Sequence, residues 1–399
     1  MNLLLSLLQK ILVGGFLLVV LALAAIALFK KLLPESRHET VSWQQIKHED
    51  TLEAYMEYLR ECPSCRHAAD ATARLDELQK KSGLVARLDR DELSVRDDFS
   101  ALAFSPNGAT IVAAGVNRLH FWESAGGKTL PVQDQSFRLA AGRRTVSIRY
   151  SLGGKQIAAG TATRTGQGSL MVWDASSGVL VAEHPVQDHD IKMVAFAPKS
   201  VGIGWLADGP FGVWEPRANR ILRATHEGAV ALSFVRDDAG QLHLITVGGR
   251  DIWLWNPETL ESLAKMELKT EKSLFGLSHD GRVVVYHDVH GVEAWNPLKG
   301  TLLTNLIRLD SDLTAFCSDT RRERLVFGTR NGMIHWWDRR TNTALAHVLA
   351  HRNTVEELVC SSRGRVVSRA IDGIKLWNPD TVTSGQATTS PPETDGLNR

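Results

Sequence analysis

The distribution of apolar and polar residues divides the chain into three parts. The first runs from Ile11 to Phe29 without a charged or strongly polar residue, and Lys30 and Lys31 follow directly. Because a helix of about twenty apolar residues crosses a hydrocarbon core of about 30 Å, this pattern predicts a single transmembrane helix. A cleaved signal peptide is the alternative, since Ala25–Ala27 fits a small-x-small cleavage site. Cleavable apolar stretches are usually shorter and do not end in two lysines.

The cations beside this stretch predict an orientation. Lys10 lies on one side, whereas Lys30, Lys31 and Arg37 lie on the other. Cations concentrate on the cytoplasmic side of membrane proteins, so we expect the bulk of the chain in the cytoplasm. The bias is small, and the opposite arrangement, with the bulk of the chain in the periplasm, stays open. In either case we expect a single-pass protein of the bacterial inner membrane.

The second part has the period of helices. Pro34 ends the membrane helix, residues 52–59 carry an apolar stripe, and Ala68–Leu78 forms a second stripe that ends near Gly83. The pair resembles the short helical hairpins, related to tetratricopeptide motifs, that lie beside membrane anchors or effector domains in many bacterial proteins. The resemblance rests on Trp43, Ile46, Tyr55, Tyr58, Leu59, Pro63, His67, Ala68, Ala71, Leu75 and Leu78. One hairpin cannot bury its own apolar face, so we expect it to pack on the rest of the chain, the membrane or a partner.

Cys62 and Cys65 form a Cys-x-x-Cys pair between these helices. A structural zinc site needs four ligands, and the remaining cysteines, Cys317 and Cys360, lie 43 positions apart. A redox motif is expected beside a βαβ pattern, which this region lacks. We therefore expect two ordinary small residues at a helical turn, with a disulfide or a metal site as alternatives. Cys317 and Cys360 are expected to be core residues.

The third part repeats a tryptophan followed by a polar residue. Successive tryptophans of this kind are separated by 51, 41, 41, 40, 42 and 40 residues. A period near 40 is typical of propellers, in which each repeat forms a four-stranded blade, so seven copies predict seven blades. The surplus of the first interval lies in Thr161–Gly168 and around Gln133–Gly142, which we expect in loops at the rim. The seven tryptophans are Trp122, Trp173, Trp214, Trp255, Trp295, Trp337 and Trp377.

Each repeat has the same order of apolar runs and turns. In the first, Leu102–Phe104 ends in the turn Ser105–Gly108, Thr110–Ala114 is the second run, and the third ends on Trp122. A turn rich in Pro, Asn, Ser and Gly and an outer strand complete the unit. Short alternating strands in this order predict an all-β fold.

The last repeat lacks an outer strand of its own. Leu84–Leu88 is an apolar strand without a repeat, and we predict that it completes the seventh blade, because an open sheet edge is a liability. Residues 381–399 are polar and rich in Ser, Thr and Pro, so we expect them to be disordered. The expected organisation is 1–33 tail and transmembrane helix, 34–82 hairpin and spacer, 83–380 propeller, and 381–399 tail.

These repeats resemble the WD-repeat family. That family often carries a buried network of a His before the inner strand, a Ser or Thr in the second strand, an Asp in the following turn, and the Trp. The resemblance implies a structural network in the seventh blade, formed by His351, Ser368, Asp372 and Trp377.

Two other blades carry parts of the same network. The third keeps His189, Asp208 and Trp214 but has no obvious hydroxyl. The fourth keeps His226, Thr246 and Trp255 but has Gly249 and Arg250 near the Asp position.

Composition and motifs narrow the function. The hydrophobic fraction of 43% and the charged fraction of 23% are typical of a globular protein, and a net charge of +1 gives no overall field that attracts nucleic acid. His, Ser and Asp are the parts of a nucleophilic triad, but here they recur in register with the repeat, which favours a structural role. No glycine-rich phosphate loop or His-Glu-x-x-His motif occurs. We therefore expect no catalytic residue, metal, cofactor, small-molecule substrate or nucleic acid.

The predicted function is a membrane-anchored scaffold that binds other proteins through its loops, because loops on a rigid frame commonly carry binding residues. A periplasmic propeller that assists envelope assembly is the first alternative. A propeller enzyme with a quinone cofactor is the second. Its repeats place the Trp after an Asp-x-x-x-Gly turn, whereas Trp173 here precedes Asp174.

Overall fold

The computed structural model describes residues 37–88, 99–131, 137–139, 142–186, 189–198, 202–289, 291–304, 306–319 and 321–381. The chain divides into two compact units that meet between Gln79 and Lys80. Within the described residues, no helix is both long enough and apolar enough to span a bilayer. The predicted transmembrane helix at 11–29 and the predicted disordered tail beyond Thr381 lie outside the described residues.

Among the described residues, three helices precede the strands: α1 (Arg37–Glu49), α2 (Leu52–Glu61) and α3 (Ala68–Lys81). The apolar stripe predicted for α2 is buried, and the Thr51 hydroxyl caps this helix by accepting from the Ala54 N–H at 3.2 Å. Helix α1 was not predicted because most of its residues are polar. Its Trp43 is buried and stacks on His67, with 4.7 Å between ring centroids. A third helix thus covers part of the apolar face of the hairpin.

In the part of the chain that the structure describes, the strands form seven antiparallel four-stranded sheets. The first strands of neighbouring blades contact one another, so these strands are the inner ones. The predicted all-β propeller of seven blades is confirmed. Listed from inner to outer strand, the blades are: blade 1, β2 (Ala101–Phe104), β3 (Thr110–Ala114), β4 (Leu119–Glu123) and β5 (Thr129–Leu130); blade 2, β6 (Arg143–Tyr150), β7 (Gln156–Thr163), β8 (Gly168–Asp174) and β9 (Leu180–Val186); blade 3, β10 (Met193–Phe196), β11 (Ile203–Leu206), β12 (Pro210–Glu215) and β13 (Arg220–Thr225); blade 4, β14 (Ala231–Arg236), β15 (Leu242–Gly248), β16 (Asp251–Trp255) and β17 (Ser262–Glu267); blade 5, β18 (Ser273–Leu277), β19 (Val284–Asp288), β20 (Gly291–Asn296) and β21 (Thr301–Leu302); blade 6, β22 (Leu313–Asp319), β23 (Arg324–Thr329), β24 (Met333–Asp338) and β25 (Thr343–Leu349); blade 7, β26 (Glu357–Cys360), β27 (Val366–Ala370), β28 (Gly373–Trp377) and β1 (Leu84–Arg87).

The repeat tryptophans lie at equivalent positions of the third strands. Trp122 pairs with Ile111 and Trp377 with Val366, and the other five have the corresponding register. Five of the seven are buried, whereas Trp295 and Trp337 are half-buried. A buried ring of this size contributes about 4–6 kcal/mol, at about 25 cal/mol per Å² and about 150–250 Å² per ring, before the entropy of ordering it is counted. The repeated tryptophan therefore supplies much of the core between blades.

The ring closes with a strand from the amino-terminal side, as predicted. Strand β1 pairs antiparallel with β28, with Leu84 opposite Trp377 and Arg87 opposite Lys375. Leu88 extends the pairing by donating its N–H to the Ile374 carbonyl at 2.8 Å. Its side chain is fully buried in the core that blade 7 shares with blade 1.

Both expectations for the cysteines are corrected by the structure. Disulfides join Cys62 to Cys65 and Cys317 to Cys360, which leaves no free cysteine among the described residues. Cys317 and Cys360 are half-buried and not core residues. They lie on the adjacent inner strands β22 and β26, with Cα atoms 5.6 Å apart. The direct contact between these two inner strands explains this pairing.

The surplus residues Thr161–Gly168 lie in and beside the turn between β7 and β8, and most of the second surplus segment, Gln133–Gly142, lies outside the described residues. Strands β7 and β8 are long, and the turn between them spans residues 164–167. The connection from blade 1 to blade 2 packs against the β3–β4 turn, where the Leu139 N–H donates to the Asn117 carbonyl at 2.8 Å. Phe137 and Leu139 anchor this connection because both are buried. The Phe137 N–H also donates to the Gly178 carbonyl at 2.9 Å, so the described residues of this connection contact both the β3–β4 turn and the β8–β9 turn.

Candidate functional site

The turns of the blades form two opposite faces. We call one the connection face: it carries the turns between second and third strands and the connections from each outer strand to the next blade. We call the other the hairpin face: it carries the turns between first and second and between third and fourth strands. Backbone hydrogen bonds join both kinds of segment on the connection face, as from the Ala350 N–H to the Gly332 carbonyl at 3.0 Å.

Three blades expose an aliphatic side chain at the tip of a turn on the connection face. Val116, Val289 and Ile371 are 53%, 93% and 72% exposed. Each lies six residues before the repeat tryptophan of its blade, where the other blades have Gln167, Asp208, Gly249 and Asn331. A large aliphatic side chain at a turn tip loses contact with water only when a partner covers it. Leu152 and Val179 are also exposed at turns of the hairpin face, but they do not share one repeat position, so the connection face is the candidate interaction surface.

The structure brings together the four residues of the network expected in blade 7. The Trp377 Nε1–H donates to Ser368 Oγ at 2.8 Å, and Ser368 Oγ lies 2.7 Å from His351 Nε2. On the other side of the ring, His351 Nδ1 lies 2.6 Å from Asp372 Oδ1. A neutral His351 with its proton on Nδ1 satisfies every one of these contacts, because Ser368 then donates to Nε2.

The electrostatics of this network agree with that assignment. Burial lowers the pKa of His351 to about 4, so the ring is neutral near pH 7. Although burial opposes it, the hydrogen bond from His351 and the nearby Lys375 lower the pKa of Asp372 well below its ordinary value. The Arg352 N–H also donates to Asp372, at 3.1 Å. The charge of Asp372 is thus balanced within blade 7.

The order Ser368–His351–Asp372 is that of a nucleophilic triad, but the geometry does not permit catalysis. Both Ser368 and His351 are 0% exposed, and Ser368 Oγ is occupied by the tryptophan. A nucleophile must reach a substrate carbonyl and lie near oxyanion donors. The network accordingly fixes the second strand, the third strand and the preceding connection of blade 7.

Blade 4 keeps part of the network and blade 3 does not assemble it. In blade 4, Thr246 Oγ1 lies 2.8 Å from His226 Nδ1 and accepts from the Trp255 Nε1–H at 2.9 Å. In blade 3, Asp208 is exposed and forms an ion pair with Lys192. It lies six residues before its tryptophan, whereas Asp372 lies five before Trp377. The displacement of one position moves the carboxylate from the interior to the tip of the turn.

The hydroxyl of blade 3 is also replaced. Ser368 and Thr246 each lie nine residues before their tryptophans, and Trp205 occupies that position in blade 3. The indole nitrogens of Trp205 and Trp214 are buried and make no hydrogen bond in the described structure. Blade 3 therefore replaces polar contacts with apolar packing.

The hairpin face has a groove of about 1010 Å³ between blades 1 and 2. Phe121, Leu130 and Tyr150 line its apolar part, and Asp174 lies at its edge. Hydrogen bonds from the hydroxyls and N–H groups of Ser176 and Ser177 lower the pKa of Asp174 to about 2. This carboxylate organises a turn and is a poor acid or base near neutral pH. Within the described residues, no group of three or more His, Cys, Asp or Glu side chains is arranged to hold a metal ion.

Our interpretation of the sequence missed the exposed tips. The signal was present, because counting six residues back from each repeat tryptophan locates Val116, Val289 and Ile371. An aliphatic residue at a turn is exceptional only after the turn has been placed in the repeat. Placing it required the strand register and not just the Trp spacing.

Comparisons with known proteins agree on the fold. No family model matches the chain. The intraflagellar transport protein 122 homolog of Danio rerio is 27% identical over 135 residues, which are 33% of this chain and 10% of that protein. The matched segment is therefore about a tenth of the relative's length.

Solved structures match most of the chain. A chain of the mitotic checkpoint complex has a TM-score of 0.58 and 13% identity, covering 74% of this chain and 95% of its own. The RRP9 WD40 repeats have a TM-score of 0.57 and 15% identity, covering 74% and 98%. The computationally designed Ika8 protein has a TM-score of 0.52 and 20% identity, covering 74% and 99%. Similarity at these identities shows the fold alone, a seven-bladed WD40-type propeller.

Proposed function

We propose that this chain is a membrane-anchored scaffold whose connection face binds partner proteins. WD40-type propellers commonly mediate protein–protein interaction, and the exposed tips Val116, Val289 and Ile371 support that role here. Buried aliphatic anchors surrounded by polar residues are a usual source of binding energy in interfaces. The single observation that carries the proposal is the recurrence of an exposed aliphatic residue at one repeat position of one face.

The test of the scaffold compares the two faces of the full-length chain. Val289→Asp with Ile371→Asp places two charges on the connection face, and Leu152→Asp, at a position 58% exposed on the hairpin face, is the matched control. Partners are captured from solubilised membranes with each variant and with the unaltered chain. We expect the double variant to lose a specific partner that the control retains. Equal recovery of every captured protein by both variants would contradict the proposal.

An envelope-assembly role on the exported side of the membrane is the second candidate, because one observation favours it. Disulfides persist in oxidising compartments and are rare in the cytoplasm, and the Cys317–Cys360 disulfide lies within the propeller. The cations Lys30, Lys31 and Arg37 favour the opposite orientation, which remains a prediction.

A reporter fused after Arg399 distinguishes the two sides. Activity of a phosphatase that folds only outside the cytoplasm supports the exported propeller. Mass spectrometry of protein alkylated in intact cells gives an independent measurement. Peptides with unalkylated Cys317 and Cys360, released by reduction, are expected only if the propeller is exported. Fully alkylated thiols together with an inactive reporter would support the cytoplasmic orientation.

A further inference from the structure

The propeller departs from its repeat at the connection face of blades 1 and 2. The interval from Trp122 to Trp173 is 51 residues, whereas the other five are 40–42. The long β7–β8 turn enlarges the connection face, and the described residues 137–139 belong to the second insertion, which leads from blade 1 into β6. Residues inserted into a repeat do not have to form the packed core of a blade. They are therefore free to carry binding residues that are specific to this protein.

Five arginines lie in or beside these insertions. Their positions are fixed by strand pairing: β6 begins at Arg143 opposite Thr163, and Arg118 forms a bridge with Arg138. Arg143 pairs with Glu183. We define the arginine sector as Arg118, Arg138, Arg143, Arg144 and Arg164 together with Val116 and Val146.

Carboxylates are scarce around this sector. The described segments 116–119, 137–139, 142–146 and 161–168 contain no Asp or Glu. Asp190, from the next connection, accepts from the Thr163 N–H at 2.9 Å, and Asp134 lies outside the described residues. Arg118, Arg144 and Arg164 have no carboxylate partner in the described structure, and Arg144 and Arg164 are exposed. The sector thus has a surplus of positive charge.

Three cations elsewhere on the connection face are paired with carboxylates, and the exposed Lys269 and Arg308 share their connections with Glu271, Asp310 and Asp312. Blade 3 pairs Lys192 with Asp208, blade 5 pairs Lys272 with Asp288 at 2.6 Å, and blade 6 pairs Arg330 with Asp312 at 3.0 Å. The surplus therefore belongs to blades 1 and 2 and is not a general property of the face.

Aliphatic side chains lie among these arginines. Val116 is two residues from Arg118, and Val146, which is 37% exposed, is two residues from Arg144 on the same strand. Phe137, the aromatic residue of these segments, is buried. Binding of single-stranded nucleic acid usually needs exposed rings on which bases stack. Guanidinium groups beside aliphatic side chains instead suit carboxylates and apolar residues of a protein segment.

We propose that the arginine sector binds an acidic protein segment that also carries aliphatic residues. The proposal rests on the proposed scaffold function and names the chemistry of one partner. Guanidinium groups of Arg144 and Arg164 pair with its carboxylates, and Val116 and Val146 contact its aliphatic side chains.

The test uses the full-length chain in detergent and a fluorescein-labelled peptide of alternating Glu and Leu. Arg144→Glu with Arg164→Glu reverses two charges in the sector. Arg217→Glu with Arg340→Glu makes the same change at exposed positions of the hairpin face and is the matched control. We expect the first variant to raise the Kd at least about tenfold and the control to change it less than about twofold. Thermal unfolding of both variants checks that the fold is retained.

Two further probes separate the alternatives. A peptide of alternating Gln and Leu should bind at least about tenfold more weakly than the acidic peptide, and a labelled single-stranded DNA should compete poorly. Equal weakening by both double variants, equal binding of the neutral peptide, or preferential binding of DNA would overturn the inference. The scaffold proposal stands or falls separately, because its test replaces Val289 and Ile371, which lie outside the sector.

Discussion

Blade 7 and blade 3 have the same four-stranded architecture but are held together differently. Blade 7 takes its outer strand from the other end of the propeller sequence, is joined to blade 6 by a disulfide, and contains the complete network around His351. Blade 3 is formed from consecutive strands and has Trp205 in place of the network hydroxyl. A blade can therefore form without the network, and the network has another purpose.

That purpose is suggested by where the additional contacts lie. Blade 7 is the seam of the ring, where the first and last strands meet and where fraying would begin. Besides the disulfide, Glu357 Oε1 of blade 7 accepts from the Leu102 N–H of blade 1 at 3.1 Å, and Leu88 is buried between these blades. Blade 3 is continuous in sequence with both neighbours, and its Val194 N–H donates to Ser147 Oγ of blade 2 at 3.2 Å, but no disulfide joins it to either neighbour in the described structure. The Glu357–Leu102 hydrogen bond and Leu88 thus lie where the first and last blades meet, whereas the disulfide and the network strengthen blade 7 and its contact with blade 6.

Removal of β1, the strand that closes the ring, is expected to have the largest effect on the stability of the propeller. A chain that begins at Ser82 retains β1 and should fold as a soluble monomer, whereas a chain that begins at Phe99 should aggregate. The shorter chain exposes the edge of β28 and removes Leu88 from the core between blades 7 and 1. Size-exclusion chromatography and thermal unfolding measure the difference.

A chain that ends at Thr381 is the control for this experiment. It keeps Asp380, which pairs with Arg324 at 2.6 Å, and lacks only residues 382–399. Its stability should match that of the longer chain. Equal stability of the chains that begin at Ser82 and Phe99 would show that β1 is dispensable.

Loss of the disulfide between blades 6 and 7 is expected to have the second largest effect on stability. Replacing Cys317 and Cys360 together with Ala should lower the free energy of unfolding by about 2–4 kcal/mol under oxidising conditions, because the bond closes a loop of 43 residues. Cys62→Ala with Cys65→Ala removes the other disulfide and should leave the unfolding transition of the propeller unchanged. The prediction fails if reduction of the unaltered chain does not lower its stability toward that of the first variant.

The sequence predicts the propeller well because the repeated residues, above all the tryptophans, are ones that pack into the core between blades. The Trp spacing locates the third strand of every blade, and the missing outer strand after Trp377 identifies Leu84–Leu88 as its replacement. Helix α1 is not predictable in the same way, because Trp43 is the large buried residue in an otherwise polar segment. Its helical state depends on contacts with α2 and on His67.

Residues of the candidate site are harder to predict because they depend on register. Asp208 and Asp372 differ by one position relative to their tryptophans, yet one lies at an exposed tip and the other in a buried network. The Cys317–Cys360 pair likewise depends on the alignment of two inner strands. The arginine sector combines turns and strand ends of blades 1 and 2 that are separated in sequence. Spacing to the nearest tryptophan does not determine any of these contacts.

Removing one member of the His351 network is expected to have a moderate effect on the free energy of unfolding. Asp372→Ala leaves the His351 Nδ1–H and the Arg352 N–H without their acceptor, so the free energy of unfolding should fall by about 1–3 kcal/mol. Asp208→Ala in blade 3 is the matched control and should change it by less than about 0.5 kcal/mol, because its ion pair is exposed. Urea unfolding of both variants measures the contrast. Equal losses would mean that the network does not distinguish the two blades.

The effect that is smallest over any single pH unit is a pH dependence of stability that originates in blade 7. Burial lowers the pKa of His351 to about 4 in the folded chain, whereas an exposed histidine titrates near about 6.5. Between these values the unfolded chain binds a proton that the folded chain does not. The free energy of unfolding should therefore fall as the pH is lowered from about 6.5 toward 4, by at most about 1.4 kcal/mol per pH unit for this residue. Urea unfolding at several pH values measures the slope.

His351→Gln isolates the contribution of this histidine. The variant should be less stable at pH 7, but its stability should fall less steeply with decreasing pH, because one titrating group is gone. His279, whose pKa burial lowers to about 4, contributes equally to both proteins and cancels in the comparison. His189→Gln in blade 3 is the control, because it makes the same His-to-Gln replacement outside the network of blade 7. If the variant at His351 and the unaltered chain have the same slope, the ring is not the neutral member of the network, and the proton between His351 and Asp372 has to be reassigned.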